Sequence, residues 1–99
     1  MSPSEKRKKL LEAVEACVCQ NRMSQYGDAE DNFADIADMV NVIGRRRGWL
    51  ASGKFISSQD VALVMLAVKM SRIANDPSHL DSWVDAAGYA ACGGAINMS

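Results

Sequence analysis

Eight consecutive apolar residues, Val61 to Val68, make the most hydrophobic run in the chain. Ser57, with Asp60 three residues on, is a helix N-terminal signal just ahead of it. Asn75-Asp76-Pro77 stops the pattern, because proline disfavours helix in the residue before it. The run therefore sits in a helix of about 58–75 that is apolar on most sides. Such a helix is expected to be central and the most buried. Asp60, Ala67 and Ser71 mark its narrow outer face. A charge placed at Val64 is expected to unfold the chain or its assembly.

Three further helices follow from spacing. Ser2-Pro3-Ser4-Glu5 offers a cap, a proline at the first helical position and a capping box. Leu10, Leu11, Val14, Cys17 and Val18 then recur at helical period, which predicts a helix over about 3–22. Gly27 turns the chain. Phe33, Ile36, Ala37, Val40 and Ile43 give the cleanest stripe, in a helix of about 29–46. Asp31, Asp35 and Asp38 line its reverse. Residues 47–57 form a loop expected to be held down by Trp49, Leu50, Phe55 and Ile56. The last helix covers about 78–92, with Leu80, Trp83, Val84, Ala87 and Ala91 inward and Gly93-Gly94 as its stop. No strand alternation and no repeat is present. The fold class read from these patterns is all-α: a four-helix bundle, 1–99, as a single domain.

Composition narrows the function classes. A chain of 99 residues has room for a modest core, and self-association adds usefully to its stability. Net charge is −1, so no global field favours nucleic acid or a membrane surface. Arg45, Arg46 and Arg47 alone are too short a basic patch to indicate a nucleic-acid interface. The N-terminus is charged and no stretch approaches the roughly 20 apolar residues of a span. Cys17 and Cys19 point about 200° apart on a helix, and the chain has one histidine, so a zinc site is not expected. The odd cysteine count fits reduced thiols and a cytoplasmic location. No nucleophile–His–acid triad can be assembled around the single histidine, His79, which reads as an exposed residue.

Chemistry is concentrated where the apolar run ends. Lys69 and Arg72 fall beside the core-facing arc, and a buried charge needs a partner. Asp81 and Asp85 stand one turn apart on the next helix. One reading is an interhelix salt bridge. The other is a polar site in which Lys69 and Arg72 hold phosphate oxygens while Asp81 and Asp85 bind Mg²⁺, which commonly takes one or two carboxylates plus substrate phosphates. Glu12, Glu15, Asp35 and Asp38 are an alternative metal set, set against a solvated face as the plainer account. Arg22 and Tyr26, beside Gly27, suit a phosphate and a stacked base, or a tyrosine packed over a helix end.

The order R-x-x-x-Y-G (Arg22, Tyr26, Gly27), N-F-x-x-I-A (Asn32, Phe33, Ile36, Ala37), D-V-A-x-x-M-x-x-x-K-x-x-R (Asp60 to Arg72) and D-S-x-x-D-x-x-G-Y (Asp81 to Tyr89) resembles a family of small phage and prophage helical proteins. That family is similar to nucleotide-modification-associated domains and, more distantly, to MazG-like all-α nucleoside triphosphate pyrophosphohydrolases. MazG-like enzymes hold Mg²⁺ with E-x-x-E and E-x-x-D helix motifs. Glu12-x-x-Glu15 and Asp35-x-x-Asp38 match that arrangement, with Asp replacing the first Glu of the second motif. The resemblance implies the fold and a nucleotide-like small-molecule ligand; together with the residues above, the expectation is a homo-oligomer with Arg22, Tyr26, Lys69, Arg72 and Tyr89 as ligand or phosphate contacts and Mg²⁺ as cofactor. Pyrophosphohydrolysis is one expectation. A non-catalytic phage accessory protein or nucleotide-sequestering sponge is the other.

Overall fold

The computed structural model describes the backbone of residues 1–21 and 29–99, and the side chains of 1–19 and 29–99. Arg22, Tyr26 and Gly27 lie outside the described residues. Among those described the chain is all-α: α1 (Pro3–Glu15), α2 (Ala29–Arg47), α3 (Ser58–Asn75) and α4 (Leu80–Ala95) form a four-helix bundle without strands. A π-helical segment, Ala16–Asn21, continues α1. The sequence pattern predicted one uninterrupted helix to about 22. The widened turns begin where Cys17, Val18 and Cys19, weak helix formers, replace the Lys- and Leu-rich first part.

Two helices start as their sequences dictate. Ser2 accepts from the Glu5 amide at 3.1 Å while Glu5 accepts from the Ser2 amide at 3.2 Å, closing a capping box with Pro3 at the first turn. Ser57 and Asp60 repeat that reciprocal arrangement at 3.2 and 2.8 Å to start α3. The arginines at the end of α2 face its negative dipole end, and Glu30 and Asp31 sit in its first turn.

Packing is centred on the α3–α4 antiparallel hairpin, with α2 laid on α3 and α1 on α4. Phe33, Ala37, Val61 and Ala62 form the core cluster, and Met65, Tyr89, Cys92 and Ile96 pack against it. The α2–α3 loop is tied by Asn41, whose amide imitates a backbone unit. It donates to the Ile56 carbonyl at 3.0 Å and accepts from the Ile56 amide at 2.7 Å. Leu50 lies against Gly44, where an added Cβ would stand 2.9 Å from its Cδ1. Gly48 and Gly53 hold positive φ values of 74° and 76°, which glycine adopts at no steric cost.

Several expected faces are corrected. In α3 only Val61 and Ala62 are buried; Leu63 is 61% and Val64 58% exposed, so this helix is not enclosed within one chain. In α2, Phe33 and Ala37 go in, but Ile36 and Ile43 stay out. In the loop, Leu50 and Ile56 are held while Trp49 and Phe55 are exposed. In α4, Leu80, Trp83 and Ala91 are exposed, and the inward line is Ser82, Val84, Ala86, Gly88 and Gly93. The reason is close approach: small residues let α3 and α1 pack on two sides of α4. Gly93 does not end the helix. A Cβ there would meet Ala62 Cβ at 2.7 Å, so the residue serves the α3–α4 crossing and α4 runs on to Ala95. The tail beyond is also held, since Asn97 donates to Gln59 at 3.2 Å and Gln59 donates to the Gly93 carbonyl at 3.0 Å.

Candidate functional site

The hairpin folds about Pro77, so residues equally distant from it along α3 and α4 stand level. Met65 and Tyr89 both reach the core cluster. Lys69 and Asp85 meet as an ion pair, Nζ to Oδ2 2.9 Å, with side chains only 16% and 10% exposed. This is the interhelix salt bridge anticipated for two charges beside an apolar arc. One turn nearer the bend, Arg72 stands level with Ser82 and not with a carboxylate. The four residues Lys69, Arg72, Asp81 and Asp85 are thus divided: Lys69 is engaged by Asp85, Arg72 is exposed on the wall of a cleft, and Asp81 is exposed on α4.

The bend itself is ordered by polar contacts. Asp76 caps α3, its amide donating to the Arg72 carbonyl at 3.0 Å. Its carboxylate accepts from the Ser78 hydroxyl at 2.7 Å and the Ser78 amide at 3.1 Å. Those bonds from Ser78 hold the Asp76 carboxyl below the usual aspartate range. The Trp83 indole donates to the Pro77 carbonyl at 2.8 Å. His79 occupies the cap position of α4 but makes no side-chain capping bond. Its Nδ1 instead pairs with the Ser82 hydroxyl at 2.8 Å, and Ser82 is 2% exposed.

Between the end of α3 and the start of α4 lies an open cleft of about 350 Å³, lined by Ser71, Arg72, Asn75, Asp76, His79 and Ser82. A guanidinium, an amide, an imidazole and the Asp76 carboxylate face one space. The Arg72 guanidinium can meet an anion there, with the Asp76 carboxylate on the same wall opposing it. Sequence reasoning selected Arg72 from this set. It set His79 aside as an exposed residue, which it is, and did not connect it with Ser82. The signal that links them is the bend at Pro77, which brings both ends of the hairpin to one level.

The other candidates lie elsewhere. Tyr89 is half-buried, its ring 6.2 Å from that of Phe33 between centroids and tilted 41°. Glu12, Glu15, Asp35 and Asp38 are exposed. Among the described residues no three His, Cys, Asp or Glu side chains gather as a metal site. Glu12, Glu15, Asp35 and Asp38 therefore form no such group. Also among the described residues, no helix is long and apolar enough to cross a membrane.

Comparison with known proteins gives a family without a stated activity. The chain is 36% identical to the Gene 55 protein of Mycobacterium phage D29 over 83 residues, 84% of this chain and 50% of that protein. It is 32% identical to the Gene 55 protein of Mycobacterium phage L5 over 81 residues, 82% of this chain and 47% of that protein. The chain thus spans about half the length of these phage relatives. No solved structure matches. Residues 9–97 match the model of DUF6378, described as a domain of unknown function, and the chain belongs to that family.

Proposed function

We propose that the protein binds a phosphate-bearing, nucleotide-like small molecule in the cleft at the α3–α4 bend. The observation that supports this reading is the placement of Arg72, Asn75 and His79 around one open space at the start of α4. Arg72 supplies a planar donor fork suited to phosphate oxygens. Mg²⁺ enters this proposal as an ion carried by the phosphates, with Asp76 as the carboxylate on the cleft wall. Arg22 and Tyr26 remain proposed contacts for the rest of the ligand. Pyrophosphohydrolysis is the finer reading, drawn from the MazG-like resemblance; its four carboxylates, Glu12, Glu15, Asp35 and Asp38, are exposed. The second reading, a non-catalytic homo-oligomeric phage accessory protein, is favoured by the apolar faces of α2 and α3 that a single chain leaves open.

The test is thermal unfolding across ribo- and deoxyribonucleoside triphosphates, with and without Mg²⁺. A ligand selective for the folded state at a hundredfold excess over its Kd adds about 2.7 kcal/mol. Arg72→Ala is expected to remove the shift and leave the unliganded midpoint nearly unchanged, because Arg72 is exposed. Wild-type protein that is folded and unmoved by every triphosphate would leave the accessory-protein reading in front.

A further inference from the structure

The helix that holds the longest apolar run of the sequence is one that a single chain leaves half uncovered. A helix hydrophobic on all sides belongs in an interior. Yet in α3, away from the buried Val61 and Ala62, Leu63 is 61%, Val64 58% and Met70 59% exposed. The neighbouring α2 repeats the pattern. Its buried line is Phe33, Ala37 and Gly44, and a second apolar line, Ile36, Met39 and Ile43, faces outward at the three-then-four spacing of a helix–helix seam.

The dimensions agree. The chain exposes 7277 Å², whereas a compact monomer of 10.7 kDa exposes about 5,500 Å². The difference, about 1,800 Å², lies within the range that one protomer of an obligate homodimer covers, roughly 1,000–2,500 Å². The radius of gyration is 15.7 Å where about 13 Å is typical of a compact domain of this length.

Charge selects the occupant. The N-terminal half of α2 carries Glu30, Asp31, Asp35 and Asp38, and its last turn carries Arg45, Arg46 and Arg47. Two copies of α2 laid antiparallel about Met39 set each acidic half beside the other's arginines. A two-fold contact requires such self-complementarity. We propose that a second copy of this chain covers the outward faces of α2 and α3, through an antiparallel α2–α2 seam centred on Met39. The inference is independent of any ligand in the cleft.

Sedimentation or light scattering at micromolar concentration tests it. The expected mass is twice 10.7 kDa. Met39→Glu and Val64→Glu replace side chains that are 62% and 58% exposed in the single chain, so each is expected to halve the mass and keep the helical circular dichroism. Charge reversal tests the register. A chain with Asp31→Lys and Asp35→Lys, and another with Arg45→Glu, Arg46→Glu and Arg47→Glu, should each be monomeric alone and dimeric when mixed. A wild-type mass of 10.7 kDa, or a dimer untouched by both glutamate variants, overturns the proposal.

Discussion

Lys69 and Asp85 show how a residue pair can be legible while its role stays open. Two cations beside an apolar arc demand partners, and Asp85 supplies one at 2.9 Å. With 16% and 10% exposure the pair is largely desolvated, so removing Asp85 leaves the Lys69 charge without this partner. Asp85→Asn is expected to lower stability by about 1–3 kcal/mol. In a double-mutant cycle by chemical denaturation, adding Lys69→Met should cost much less than the two single losses together. Asp76 offers a pH prediction of definite sign. Its folded-state carboxyl is held below the ordinary aspartate value by Ser78. A lowered folded value contributes stability above the unfolded value, and that contribution is lost as pH falls through the folded one. The bend should therefore loosen only below about pH 4. A carboxyl titration by NMR should place Asp76 under the usual range, and Ser78→Ala should return it upward.

Among the elements, α4 departs most from its periodicity. Apolar spacing marked Leu80, Trp83, Val84, Ala87 and Ala91 as the inner line, but of these only Val84 is buried, and the rest of the buried line is small: Ser82, Ala86, Gly88 and Gly93. Gly93 carries the clearest consequence, since Ala there must push α3 away from a 2.7 Å contact with Ala62. Gly93→Ala is expected to destabilise by about 1–3 kcal/mol despite its better helix propensity. Adding Ala62→Gly should recover part of that loss. Gly94 has nothing within 4 Å of an added Cβ, so Gly94→Ala should stabilise by about 0.5–1 kcal/mol. Urea midpoints of the three variants separate a packing requirement from a helix stop.

At the scale of the whole molecule, four helices on a small core expose much apolar surface. None of the described side chains combines large volume with less than 2% exposure. If a second chain supplies the missing cover, folding and association are one equilibrium, and the melting temperature depends on protein concentration. It is expected to rise with each tenfold increase in concentration for the wild type and to stay constant for Met39→Glu. Differential scanning fluorimetry over two decades of concentration reads both outcomes.

Local chemistry let the sequence determine the helices themselves. Caps at Ser2 and Ser57, the stop before Pro77 and the period of α2 depend on neighbours within one turn, and all-α architecture follows from them. The Lys69–Asp85 pair was legible for a related reason, because a short bend brings near neighbours in sequence together. Tertiary structure decided the rest of the burial, which leaves Ile36 and Ile43 of α2 outside and puts the small-residue line of α4 inside. Burial is set by how closely two backbones approach, and that distance is governed by glycine and alanine, whose weak hydrophobic signal a periodicity cannot see. It also decided that Arg72, His79 and Ser82 share one cleft, since only the folded register about Pro77 sets them level.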